Sequence, residues 1–231
     1  ESTHDDLVHV SVKNHMHGFD NEMAHLRKDV SFEKARSGFM VADPLTLYDC
    51  CPTSDGASAV ILVADHLAHQ FTDTPIWVKG SGAGSDKLAL HDRPSLTQLR
   101  ATQLASQKAY SIADVQPSQI DLAEVHDCFT IAEVLATEDL GFAGRGEGGL
   151  FARNGQGRRN EGDVTINASG GLKSKGHPLG ATGTGQAVEV FKQLRHQVEA
   201  PRQVRDAEIG LTHNVGGSGA TCAVHIFGRE R

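Results

Sequence analysis

The sequence predicts an α/β domain in which helices pack on a mixed sheet. Two observations carry that prediction. From Ser54 onward, short apolar runs of strand length take turns with longer runs whose apolar residues recur at helical spacing. The chain then closes on two strand-like runs, "AEIGLTHNV" and "ATCAVHIFG", separated by "GGSG", the pattern of an antiparallel pair joined by a tight glycine turn. With 231 residues, 39% of them hydrophobic, the chain can bury a full core. A prior of roughly 150 residues per domain allows one large domain, or one domain and part of another.

Taken in order, residues 1 to 50 are His-rich and irregular. "VHVSVKNH" alternates like a strand, "NEMAHLRKDVSFEKARS" suits a short polar helix with a loop, and "FMVADPLTLYDCC" ends the segment. Ser54 to Asp65, "SDGASAVILVAD", is a small-residue turn followed by a continuous apolar run, as expected of a buried strand. "TPIWVKGSGAG" is a second strand running into glycine. "SLTQLRATQLASQKAYSIAD" offers Ser95 as helix N-cap and places Ala101, Leu104, Ala105 and Ala109 on one helical face. "IDLAEVHD" is a strand and "FTIAEVLATEDLGF" a helix stopped at Gly141. Residues 144 to 162 form a Gly, Arg and Asn-rich loop before the strand "DVTINAS". The glycine-rich stretch "GGLKSKGHPLGATGTGQ" then feeds the helix "GQAVEVFKQLRHQ", whose Ala187, Val190, Phe191 and Leu194 share a face.

Composition excludes several classes. The formal net charge of -7, from 22 basic and 29 acidic residues, argues against a phosphate-backbone binder, so nucleic acid is not an expected partner. No apolar run reaches membrane-spanning length and the first residues show no leader pattern, which reads as a soluble, cytoplasmic protein without membrane attachment. Cys50, Cys51, Cys128 and Cys222 lack zinc-type spacing and read as reduced thiols. His9, His15, His17, His25, His66 and His69 form no HExxH arrangement and are expected at the surface, with no metal site. The chain opens on Glu1 without a start signal, as the later part of a longer polypeptide would.

Four short stretches are candidates for chemistry. "EVHDCFT" falls at the carboxyl end of a predicted strand, where open α/β sheets place ligands, and His126 and Cys128, two apart, can face one way. A thiol beside an imidazole can act as base or nucleophile; taken alone, the pair reads first as a buried Cys and a hydrogen-bonded His. In "KGHPLG", Pro178 restricts His177 to extended backbone, and the flanking glycines permit close approach of a ligand. The stretch ends Gly-Thr-Gly-Gln, which excludes a Walker-type phosphate loop and favours a positioned histidine. "THNVGGSGATC" can present glycine N–H groups to an oxyanion, or be a plain hairpin turn. "KGSGAGSD" invites a dinucleotide reading, but Ser85 stands where the third glycine belongs.

In that order, "EVHDCF", "GGLKSKGHPLGATG" and "NVGGSGATC" resemble the thiolase superfamily, in its sterol-carrier-protein-type and archaeal acetyl-CoA acetyltransferase branch. "VSVKNHMHG" and "MVADPLTLYDCCPTSDGASAVIL" extend the likeness over nearly the whole chain. The resemblance implies a layered α-β-α-β-α sandwich of two βαβαβαββ halves. This chain would supply mainly the second half with its mixed five-stranded sheet: 1–53 the end of a loop region, 54–65 the last strand of the amino-terminal half, and 66–231 the carboxyl-terminal domain. The nucleophilic cysteine of the first half would then be missing.

By the same resemblance, His177 activates that nucleophile and donates to the thioester oxygen. His126 holds the water or donor completing the first oxyanion hole, and Cys128 is the base that removes an α-proton. Gly216 and Gly217 belong to a second oxyanion hole, and Asn214 stands where standard members carry a cysteine. The implied activity is acyl-CoA C-acyl transfer, by Claisen condensation or thiolysis. No cofactor or metal is implied; a coenzyme A thioester is the substrate. The implied partners are the amino-terminal half, a second copy in a homodimer or higher assembly, and a small OB-fold protein. A thiolase-like aldolase acting on a CoA thioester and a non-catalytic acyl-CoA-binding or scaffold subunit are the alternatives.

Overall fold

A computed structural model describes residues 2–231. Its centre is the predicted mixed sheet of five strands. The strands are β3 (Trp77–Ser85), β4 (Leu122–Glu124), β5 (Thr165–Ile166), β6 (Ile209–Gly216) and β7 (Thr221–Gly228), in spatial order β3-β7-β6-β4-β5. The pairs β3–β7 and β7–β6 are antiparallel, whereas β4 is parallel to both β6 and β5. β4 and β6 therefore end on the same edge. That edge carries the site.

Alternation along the strands sorts their side chains between two helical layers. Ala123, Leu211, Val224 and Ile226 face α3 (Arg100–Ala113) in one core cluster. Leu122 and Phe227 face α7 (Thr182–Leu194) in another, with Val190 and Leu194. The chain is thus three layers deep, with α3 and α7 on opposite faces. The stretch "KGSGAGSD" is explained by this packing: a Cβ at Gly80, Gly82 or Gly84 would lie within 2.2 Å of a backbone oxygen of Ala109, Ala105 or Ala101. Three glycines on one face of β3 let the helix backbone lie directly on the strand, with no dinucleotide involved.

Several sequence expectations are corrected. "VHVSVKNH" is not a strand but the middle of helix α1 (His4–Phe19). α2 (Phe32–Arg36) and the small hairpin β1 (Met40–Ala42) and β2 (Leu45–Thr46) follow. Ser54 to Ala64 is neither helix nor strand, and Val60, Ile61, Leu62 and Val63 are exposed. Those side chains find no apolar partner in this chain that would hold them as a buried strand. Ser95 does not cap α3; Leu99 occupies that place, and its N–H donates to Asp139 Oδ2 at 2.7 Å. Leu104, expected on the inner face, is 40% exposed, because Gly-lined β3 leaves room only for the alanines.

The expected loop 144–162 contains a helix, α5 (Gly148–Arg153), whose glycines serve close packing: a Cβ at Gly148 would meet Val134 O at 2.6 Å. α4 (Thr130–Asp139) ends as expected before Gly141, which takes φ +85. His15 and His17 are buried, not at the surface, since α1 is enclosed by its neighbours. Among the described residues no group of side chains could hold a metal ion, and no helix is long and apolar enough to cross a membrane.

Candidate active site

Three segments meet beyond the carboxyl ends of β4 and β6. The turn after β4 carries His126, Asp127 and Cys128, and the end of β6 carries His213 and Asn214. The stretch through the short helix α6 (Gly171–Ser174) into α7 carries His177. One cavity of about 590 Å³ is lined by His126, Cys128, His177, Asn214, Gly216 and Gly217, so every residue singled out for the site shares it. The turn from Gly216 to Gly219 is a tight hairpin turn and a cavity wall at once; Gly217 and Gly219 have φ +57 and +90.

The histidines are held in defined states. His126 Nδ1 lies 2.8 Å from Asn214 Oδ1, and the rings of His126 and His177 meet edge to face with centroids 5.0 Å apart. An amide oxygen only accepts, so His126 carries its proton on Nδ1 and leaves Nε2 as an acceptor. Thr182 Oγ1 donates to Pro178 O at 3.0 Å and therefore accepts from His177 Nδ1 at 2.7 Å. His177 Nε2 is then also a free acceptor. Burial, with the neighbouring His177, lowers His126 to about 4; burial, with the Lys175 cation, lowers His177. Both are neutral at pH 7.

Cys128 is half-buried, and burial pushes its thiol up to about 11, helped by the Asp127 carboxylate and by Cys51. The thiol is protonated at rest. Once ionised, it is a stronger base than an ordinary thiolate.

A buried polar network supports these groups. Asp127 accepts from Leu172 N at 2.7 Å and from Asn14 Nδ2 at 2.7 Å, tying the Cys128 turn to the His177 stretch and to α1. Asn14 also donates to Glu133, which pairs with Lys13 at 3.0 Å. A Cβ at Gly171 would lie 2.4 Å from Asp127 Oδ2, so this glycine is what lets the carboxylate cap the backbone. The segment from Cys50 to Ser54 spans the site from above. It bridges Phe129 through Cys50 and His177 through Thr53, and Ser54 Oγ accepts from His177 N at 3.3 Å.

Sequence reasoning missed Thr182, Asp127, Ser54 and His213. His213 Nδ1 accepts from His126 N at 3.4 Å and its Nε2 donates to Thr102 Oγ1 at 3.0 Å, with burial lowering it to about 3. Thr182, Asp127 and His213 stand within five residues of a chosen site residue and Ser54 does not, but only the fold shows which way each points.

The fold and the three convergent segments define a thiolase-type domain. The chain belongs to that family: the thiolase C-terminal domain-like family matches residues 82–229. It is 51% identical over 228 residues to acetyl-CoA acetyltransferase of Methanothermobacter thermautotrophicus, covering 99% of this chain and 59% of that protein. It is 34% identical over 224 residues to sterol carrier protein 2 of Bos taurus, covering 95% of this chain and 41% of that protein. The chain thus spans less than two thirds of the relatives it matches. Among solved structures, the Ltp2-ChsH2(DUF35) aldolase superposes with a TM-score of 0.87 at 24% identity, covering 100% of this chain and 59% of that one.

Proposed function

We propose that this chain is the carboxyl-terminal portion of an acyl-CoA C-acyltransferase, supplying the α-proton base and most of the oxyanion donors of a thioester condensation site. The observation that carries the reading is the convergence of Cys128, His126, His177 and the Gly216–Gly217 turn on one cavity. The 51% identity to an acetyl-CoA acetyltransferase supports it. The nucleophilic cysteine comes from an amino-terminal half. Residues 54–65, of which 54–64 are neither helix nor strand in this chain by itself, would become the last strand of that half on pairing with it, with 1–53 the end of its inserted loop region and 66–231 the carboxyl-terminal domain. The exposed run Val60–Val63 is the edge those residues would cover.

In the reaction, His177 Nε2 takes the proton of the nucleophilic thiol as it attacks the first thioester, and the resulting N–H then faces the thioester oxygen. Coenzyme A leaves as its thiolate and then takes up the Cys128 proton, which ionises Cys128, and the acyl group is held on the nucleophile while a second thioester binds. Cys128, as thiolate, removes the α-proton of that second thioester. An α-proton is a far weaker acid than a thiol, so the enolate must be stabilised as it forms. His177 N–H and a water accepted by His126 Nε2 donate to its oxygen, and Gly216 N–H serves the acyl oxygen under attack. The carbanion attacks the acyl carbon and forms the new carbon–carbon bond, the acyl–sulfur bond breaks, and the departing nucleophile takes its proton back from His177. Asn214 does not replace the missing cysteine of standard members; it fixes His126.

The assembly proposed is a homodimer or higher oligomer in the cytoplasm, with a small OB-fold partner. A relative in fold is an aldolase complexed with a DUF35 protein, which keeps open an aldolase using the same enolate donors. Intact mass separates the readings. Chain and amino-terminal half are incubated together with acetyl-CoA. An acetyl adduct on the half's cysteine supports the transferase; its absence supports the aldolase or a binding subunit.

A further inference from the structure

Arg93 is the one lysine or arginine lining the cavity among the described residues, and no aspartate or glutamate lines it. Its guanidinium is fixed in direction: Nε donates to Lys87 O at 2.7 Å and Nη1 to Ser218 O at 2.8 Å. The third nitrogen, Nη2, is buried and has no protein acceptor. The surrounding wall is apolar, built from Leu90, Leu96 and Leu99. The histidines on the other wall are neutral, as His126, held at about 4, and His213, at about 3, show. Two carbonyls satisfy hydrogen bonds but no carboxylate pairs with the guanidinium, which leaves the cavity wall with an uncompensated positive charge that attracts an anion. A guanidinium suits a planar or tetrahedral oxyanion, because its donors lie in a fixed fork.

We propose that Arg93 is a specificity-determining residue of this cavity, binding an anionic oxygen group of the thioester: a carboxylate on its acyl part or a phosphate of its coenzyme A part. The proposal rests on the thioester reading of the site. It goes further by giving the substrate a second anchoring point beside the Gly216–Gly219 turn. A purely structural Arg93 would instead only pin Ser218.

Calorimetric titration of the complete enzyme, this chain together with its amino-terminal half, separates these roles. The ligands are acetyl-CoA, succinyl-CoA, S-acetylpantetheine and S-succinylpantetheine, and the proteins are the wild type, Arg93→Met and Arg93→Lys, each checked by thermal melting. A carboxylate subsite predicts that both succinyl ligands bind roughly tenfold or more tighter than their acetyl counterparts. A phosphate subsite predicts the same advantage for both CoA ligands over the pantetheine ones. Either advantage disappears in Arg93→Met. In Arg93→Lys, which keeps the charge but loses the fork, it falls severalfold, and that variant decides the matter if Arg93→Met does not fold. Equal weakening of all four ligands, or no change, overturns the subsite and leaves the thioester reading standing. Binding of none of the four by the wild type overturns both.

Discussion

Asn214 Oδ1 and His126 Nδ1 lie 2.8 Å apart, bridging the ends of the parallel strands β4 and β6. The contact dictates which ring nitrogen carries the proton, and it explains why an asparagine at this position suits the site. Replacing Asn214 by Ala frees the ring. Nitrogen NMR of the wild type is expected to show His126 protonated at Nδ1 only, and Asn214→Ala to show a mixture of tautomers. Condensation by the complete enzyme should fall about 10- to 100-fold, the range for loss of an orienting partner to a functional histidine.

Thr182 plays the matching part for His177. Thr182→Val keeps the shape but removes the acceptor for Nδ1–H. The rate of nucleophile acylation is expected to fall about tenfold or more, read as the burst phase with acetyl-CoA. A normal burst would remove Thr182 from this role.

The glycine face of β3 is a packing requirement. A Cβ at Gly82 would sit 1.9 Å from Ala105 O, against backbone that cannot yield. Gly82→Ala should cost about 1–3 kcal/mol and lower the melting temperature by several degrees, measured by calorimetry.

Acid should loosen the fold well above the usual carboxylate range. Burial lowers His9, His15, His17, His126, His177, His213 and His225 in the folded chain. Each group with a lowered folded pKa contributes stability that is present above its unfolded value near 6.5 and is lost as pH falls toward the folded value. Asp127, raised to about 7, and Glu124 and Asp139, raised by burial, act in the opposite sense. Seven histidines outweigh three carboxyls, so the melting temperature should drop between pH 6.5 and 5. A flat profile there would contradict the neutral, buried state of these rings.

The sheet and its flanking helices were legible because β6, β7, α3 and α7 each bury one face, so their apolar residues keep the strand or helix period. α1 was not. Packed against α2, α4, α5 and α6, it buries Leu7, Val8, Val10, Lys13, Asn14 and His17 around its circumference, which erases the period and leaves Val8, Val10 and Val12 to mimic a strand. α5 was hidden because glycine signals a loop, whereas Gly148 and Gly149 are there for close approach. In the site, the motifs identified the groups that line the cavity. Of the residues that hold them in place, Asp127 and His213 act through long-range hydrogen bonds that no local pattern encodes, and Thr182 acts through a local one whose direction only the folded loop sets.

The central claim is that Cys128 is the base of a condensation whose nucleophile lies elsewhere. The most direct measurement follows the two half-reactions of the complete enzyme separately with Cys128→Ala: covalent acylation by acetyl-CoA through intact mass, and carbon–carbon bond formation through acetoacetyl-CoA release. Acylation close to the wild-type rate with condensation abolished is the predicted result. Condensation at the wild-type rate in Cys128→Ala would contradict the account.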